Sequence, residues 1–308
     1  MRKYTAIILW VFGLLVTDLN AQIPSQFNVD PARTFAMFRD PSYITFAGGV
    51  GNIERLVFEA DIIPYYQVSL SNTDDWGVEL SPQVILRMYN QESYPVRTPS
   101  FMPRATFFYH LRKASHRTYD LFGYMSWCHH SNGQENSFYM PDSVTVNTTS
   151  GNFSTNMVEL GMFLSKPDRR NPFATNYSKL SAVYHYYHNE ELDNRYGDLR
   201  FYLDMQTTVD VTNTLRYFGR TQRALPPKSS VLQLSTKLGW IAGAMGNVQS
   251  FGIDRLIAKV TVSYKPSFFK DVTFFSQYYY GQDYYNIHFG RTLHLLRFGL
   301  MARPNFFY

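Results

Sequence analysis

The sequence predicts an all-β protein, a transmembrane antiparallel β-barrel of about 12 strands. Three observations lead there. Aromatic residues make up 17 % of the chain, with 24 Tyr and 25 Phe, and charged residues only 17 %, below the roughly 25 % of ordinary globular chains. Mean hydropathy is −0.27, and no stretch beyond the N-terminus reaches the roughly 18 apolar residues of a membrane-crossing helix. Segments with strand-like alternation recur from one end of the chain to the other.

The N-terminus comes first. Arg2 and Lys3 precede an apolar run from Ala6 to Val16, and Leu19-Asn20-Ala21 suits a cleavage site. Residues 1–21 are read as a secretory signal peptide. Residues 22–308 contain no Gly/Ser or Pro-rich linker and no repeat, so they are read as a single barrel domain. A chain that spans a bilayer without a helix must close into a barrel, because only closure satisfies every backbone group in lipid. The aromatic ending, Asn305-Phe306-Phe307-Tyr308, is similar to the assembly signal of outer-membrane barrels. The expected location is a Gram-negative type of outer membrane.

The strand-like segments follow in order: 42–49, 57–70, 76–90, 103–112, 118–131, 155–165, 177–189, 198–210, 230–243, 254–265, 271–282 and 291–304. Their number is even, which puts both ends of the chain on the periplasmic side. Short polar turns, 114–116 and 166–170, fall on that side. Longer connections, 91–102, 132–154, 190–197 and 243–253, fall outside. The long connection 211–229 breaks this trend, through either a misread strand pair or an unusual turn.

Net charge is +5, but the basic runs are short and lie at expected membrane-edge turns. No nucleic-acid partner is expected. The single cysteine, Cys128, excludes an internal disulfide. No phosphate loop or zinc signature is present. Tyr184-His185-Tyr186-Tyr187-His188 and Tyr278-Tyr279-Tyr280 suit an interfacial aromatic girdle.

One segment carries chemistry. Along Leu121 to Ser131, side chains alternate between faces. Leu121, Gly123, Met125, Trp127, His129 and Ser131 share the more apolar face, which is assigned to lipid. Phe122, Tyr124, Ser126, Cys128 and His130 share the lumen face. A polar group facing lipid is costly, so a histidine there suggests work on lipid itself. His129 could take the proton of the Ser131 hydroxyl, which is a weak nucleophile without a base. Asn156 opens the next strand on the same face and could orient the imidazole. Asn147 and Asn152 compete for that part.

His129-His130-Ser131-Asn132-Gly133 resembles the H-x-S-N-G stretch of the outer membrane phospholipase A family. Ser154-Thr155-Asn156 is similar to the S-x-N context of that family's orienting asparagine. Glu92-Ser93-Tyr94-Pro95-Val96-Arg97 is similar to its E-S-x-P-x-R stretch. Asp40-Pro41-Ser42-Tyr43-Ile44 and the 280–299 hairpin look like its opening and closing strands.

The resemblance implies a serine carboxylic-ester hydrolase, a phospholipase A acting on membrane phospholipids. Ser131 would be the nucleophile, His129 the base and Asn156 the orienter, with the Gly133 N–H stabilising the oxyanion. It also implies Ca²⁺ at the interface of an active homodimer, held by the Gln134 carbonyl and the partner's Ser93. A further side-chain ligand should come from the loop after Ser131, where Ser137, Asp142 and Ser143 are candidates. That loop departs from the family: 24 residues separate Ser131 from Asn156, about a dozen more than the pattern. Two other readings compete. One is a lipid A deacylase, whose known barrels have about eight strands. The other is a non-catalytic barrel, a channel or structural protein.

Overall fold

The structure is a computed structural model and describes residues 37–69, 76–93, 95–112, 119–167, 171, 174–219 and 229–302. The expected signal peptide and the turn residues 114–116 and 168–170 lie outside the described residues.

Alternation becomes a wall with two faces. On Asp120–Ser131, Phe122, Tyr124, Ser126, Cys128 and His130 are buried, while Trp127 and His129 are exposed. The next strand repeats this. Glu159 and Phe163 are buried; Leu160 and Met162 are exposed. Both face assignments made from the sequence match the structure.

The β segments are β1 (Ser42–Thr45), β2 (Val50–Gly51), β3 (Leu56–Ile62), β4 (Tyr66–Ser69), β5 (Trp76–Tyr89), β6 (Ser100–Arg112) and β7 (Asp120–Ser131). They continue with β8 (Ser154–Pro167), β9 (Ala174–His188), β10 (Leu199–Asp210), β11 (Val231–Ile241), β12 (Leu256–Lys265), β13 (Val272–Gln282) and β14 (Thr292–Ala302). Neighbours in sequence pair antiparallel around the sheet, and β14 returns to pair with β1. The result is a closed barrel of 12 strands, in which β4 prolongs the β3 side of β5 and the short β2 lies on β14. Closure leaves no strand edge to be satisfied by lipid.

Each of the 12 expected segments holds a strand. The segment expected at 57–70 divides into β3 and β4, and β6 starts three residues early. The 211–229 connection hides no strand pair among its described residues. It holds a helix, α1 (Val211–Phe218), whose first turn is capped by Asp210 Oδ1 accepting from the Asn213 N–H at 2.9 Å.

The lumen is filled, as a 12-strand wall allows. At the turn end, Met37 and Phe38 enter the barrel and pack on Phe108, Phe122, Tyr124, Phe163 and Tyr177. The Phe38 ring lies 4.9 Å from those of Phe108 and Tyr124. At the other end, loops 132–153, 189–198 and 283–291 fold over the mouth. There they bury Phe138, Phe153, Leu192, Tyr196, Ile287 and Phe289 against one another. Between the two plugs lies a polar cavity of about 310 Å³, lined among others by Arg104, Glu159, Lys179, Asp204 and Lys237.

Loop 283–291 is held in the mouth by buried charge. Arg87 donates from Nε to Glu59 at 2.8 Å, and from Nη1 and Nη2 to Asp283 at 3.1 and 2.9 Å. Tyr284 donates to Glu59 Oε1 at 2.7 Å. Tyr285 is fully buried, and its hydroxyl donates to the Arg97 carbonyl at 3.1 Å.

His288, in this loop, faces Glu54 at 3.5 Å, with Tyr89, Arg291, Arg87 and Asp283 around it. Burial lowers its pKa to about 4, so the folded loop holds it neutral. Burial pushes the Glu54 carboxyl up, but the Arg291 hydrogen bond and charge outweigh this and hold it below its ordinary value. Both groups bind protons more weakly in the folded loop than in an opened one. Their stabilisation is present at neutral pH. The His288 part is lost as pH falls from about 6.5 toward 4, and the Glu54 part at lower pH still. Acidification from pH 7 to pH 4 is expected to lower amide protection factors, taken relative to the intrinsic exchange rate at each pH, in 283–291 ahead of the barrel strands. Unchanged protection across that range would contradict this account.

Candidate active site

β7 and β8 pair so that His129 lies directly opposite Asn156, and Ser131 opposite Ser154. On the outer face, His129 Nδ1–H donates to Asn156 Oδ1 at 2.8 Å. That bond sets the tautomer, leaving Nε2 free to accept a proton. Among the described residues no hydrogen bond joins His129 to Ser131, which lies two residues further along the same strand face. Catalytic hydrogen bonds of this kind often tighten only when substrate is bound. Asn147 is used elsewhere, accepting from the Ser150 N–H at 3.1 Å. Asn152 receives a 3.5 Å bond from Asn189.

The turn after Ser131 is built by a residue to which the sequence reading assigned no role. Asn132 is fully buried. Its Nδ2 donates to the Gly151 carbonyl at 2.8 Å, and its Oδ1 accepts from the N–H groups of Phe153 at 3.0 Å and Gln134 at 3.2 Å. Its own N–H donates to the Phe153 carbonyl at 3.1 Å. One side chain thus clamps both ends of the 132–153 loop. It also sets the backbone for Gly133, which takes φ +65°, a conformation that favours glycine. Gly133 is exposed, and among the described residues its N–H has no acceptor. An N–H held in a turn beside a hydroxyl can receive developing negative charge.

A second support lies beneath β6. Phe101 pairs with Ser131 across the β6–β7 ladder. The preceding Ser100 Oγ accepts from Asn286 Nδ2 at 2.9 Å. Asn286 and Thr98, which it also contacts, both have left-handed φ values of +34° and +38°. Strained residues of this kind persist only when their surroundings over-determine them.

The residues associated with calcium are more scattered. Ser93 is exposed in the 90–99 loop, and Gln134 sits in the turn after Ser131. No hydrogen bond joins them among the described residues. Asp142, one side-chain candidate, accepts from the Val144 and Thr145 N–H groups at 2.9 and 2.8 Å, and from Thr145 Oγ1. These bonds hold its carboxyl below the usual range and engage both oxygens in its own turn. Among the described residues, no group of three or more His, Cys, Asp or Glu converges on a point that could hold a metal. Calcium takes 6–8 oxygen ligands, and Ser93 and Gln134 of one chain do not by themselves supply that number.

No family model matches this sequence, and no curated protein matches it. Solved structures do. The outer membrane phospholipase A of Escherichia coli superposes with a TM-score of 0.54, over 94 % of this chain and 95 % of that one, at 12 % identity.

The fold is that of outer membrane phospholipase A.

An asparagine-to-alanine active-site mutant of the Escherichia coli phospholipase, at pH 6.1, gives a TM-score of 0.53 at 12 % identity over 94 % of this chain and 95 % of that one. The Salmonella typhi phospholipase, a dimer with bound calcium, gives 0.52 at 13 % identity over 93 % and 96 %. At such identity the likeness concerns the fold. The closed barrel, with described helices too short and polar to cross a membrane, has the architecture of an outer-membrane protein.

Proposed function

We propose that this protein is an outer-membrane phospholipase A that cleaves acyl esters of membrane phospholipids from the lipid-facing wall of the barrel. The observation that carries this reading is the 2.8 Å bond between His129 and Asn156, on the outer face and two residues from Ser131. A soluble substrate would not call for a base aimed into lipid. The 12-strand wall also argues against a lipid A deacylase of about eight strands.

The reaction follows from the parts. Ser131 Oγ attacks the acyl carbonyl while His129 Nε2 takes its proton. Asn156 holds the imidazole in place and steadies its charged form. The oxyanion lies against the Gly133 N–H. His129 then returns the proton to the departing glycerol oxygen, and the lysophospholipid leaves. Water, deprotonated by the same imidazole, releases the fatty acid and restores Ser131.

Calcium belongs to this reading as a shared ligand between two copies of the chain. The Gln134 carbonyl and the partner's Ser93 would hold it, and its charge would strengthen oxyanion stabilisation when bound. The homodimer is then the active form. With so few charged ligands its affinity should be weak, since calcium sites gain affinity with ligand charge.

The test is fatty-acid release from phosphatidylethanolamine in mixed micelles by the refolded protein, with millimolar Ca²⁺ or with EDTA. Release that needs Ca²⁺ supports both parts. Release that survives EDTA keeps the esterase and removes the shared metal. No release from folded, dimeric protein favours the non-catalytic barrel.

A further inference from the structure

The row that holds His129 and Asn156 continues onto a third strand. β9 pairs with β8 so that Asn156 lies opposite Tyr187. The next pair is Met157 with His185, so Tyr186 is an extra residue in a β-bulge. A bulge breaks alternation and re-aims side chains. Here it puts two consecutive tyrosines on the outside. Tyr186 is 54 % and Tyr187 65 % exposed, with Tyr184 on the same side at 51 %, while His185 points inward at 4 %. Adjacent strands lie about 4.8 Å apart, so Tyr187 stands roughly 10 Å across the wall from the strand that carries Ser131.

The chain beyond these tyrosines is acidic. Loop 189–198 carries Glu190, Glu191, Asp193 and Asp198 against a single arginine, Arg195. Asp193 and Asp198 lie 3.4 and 3.2 Å from His188. Asp193 is 63 % exposed, and Glu190 is exposed beside it. Among the described residues, Glu190 and Glu191 take part in no ion pair. Exposed aromatic faces next to unneutralised carboxylates favour a cation. Ring faces attract ammonium groups within about 6 Å, and the carboxylates raise its local concentration. The same charge repels an anionic headgroup.

We infer that Tyr186 and Tyr187, on the bulge beside Asn156, form a headgroup subsite that selects phospholipids bearing an ammonium group. The inference rests on the phospholipase reading and names the substrate class of the same site. In a glycerophospholipid the ammonium lies several bonds from the scissile ester. That reach matches the two strand spacings between Ser131 and the tyrosines. An aromatic girdle accounts for tyrosines at this depth, but not for a bulge that exposes two in succession next to an orienting asparagine.

The experiment uses the folded full chain in mixed micelles. It compares kcat/KM for phosphatidylcholine and phosphatidylglycerol of identical acyl chains. The unsubstituted protein should prefer phosphatidylcholine. Tyr186→Leu with Tyr187→Leu should lower the phosphatidylcholine-to-phosphatidylglycerol ratio about 3- to 30-fold, whereas Tyr186→Phe with Tyr187→Phe, which keeps both ring faces, should retain it. An unchanged ratio in the leucine variant, or equal loss on both lipids as a girdle role requires, overturns the subsite and leaves the phospholipase standing.

A second measurement separates the two readings. Binding of short-chain phosphatidylcholine and phosphatidylglycerol to Ser131→Ala protein is followed by tryptophan fluorescence. If the folded protein hydrolyses neither lipid, the phospholipase reading falls and this comparison decides the subsite alone. Tighter phosphatidylcholine binding that the leucine pair abolishes supports it; equal binding overturns it.

Discussion

Ser131→Ala is expected to lower fatty-acid release by at least about a thousand-fold without unfolding the barrel. Removing the nucleophile leaves only oxyanion stabilisation and substrate positioning, which retain a small part of the acceleration in serine hydrolases. His129→Ala should cost about as much, because the hydroxyl is a poor nucleophile without its base. The double variant should be little worse than either, since residues that act as one unit lose their joint effect at the first substitution. Asn156→Ala should cost less, on the order of a hundred-fold. The imidazole remains in that variant but loses the 2.8 Å bond that sets its tautomer. The ordering is diagnostic. If Ser131→Ala keeps near-full activity while folded, as judged by heat-modifiable mobility on gels, the chemistry runs elsewhere. If the serine and histidine losses multiply, the two do not form one unit.

Arg87→Met is expected to destabilise the folded barrel by up to about 3–5 kcal/mol, the cost of removing one partner from a buried ion-pair network. Arg87 is fully buried and bridges Glu59 and Asp283. Its guanidinium also lies 4.3 Å from the centre of the Tyr285 ring, so the substitution removes a stacking partner too. Adding Asp283→Asn should recover little of the loss, because Asp283 keeps Arg291 as a partner at 2.7 Å and Glu59 keeps Arg297. Urea titration in detergent micelles measures both changes. A loss below about 1 kcal/mol would mean that the network is as well solvated as surface ion pairs. Activity should fall along with stability. Loop 283–291 carries Asn286, which holds Ser100 next to the Phe101–Ser131 pair.

Most of the wall was legible in the sequence. Strands with one lipid face and one lumen face must alternate, and alternation is a local property. It located the 12 strands and put Trp127 and His129 outside, with Ser126 and His130 inside. The placing of His129 and Asn156 at one rim, on the same face of neighbouring strands, also followed from counting, since one strand ends at the loop where the next begins.

Other features depended on contacts between residues far apart in the chain. The 211–218 helix replaces part of a connection that turn statistics treat as loop. Asn132 reads as an ordinary turn residue, because its bonds to Gly151 and Phe153 exist only after a long loop has closed. Tyr284 and Tyr285 lie past a strand end, and only the folded mouth shows them inside a network with Glu59, Arg87 and Arg97. Tyr187 meets Asn156 through a bulge, where two strands pair out of step. A bulge is a property of that pairing, and neither strand carries it alone. The sequence by itself therefore determined the barrel, its two faces and the rim where Ser131, His129 and Asn156 gather. Tertiary structure alone decided what fills the mouth, what clamps the turn at Gly133 and which aromatics border the site, because each depends on bonds closed across the sheet or between loops.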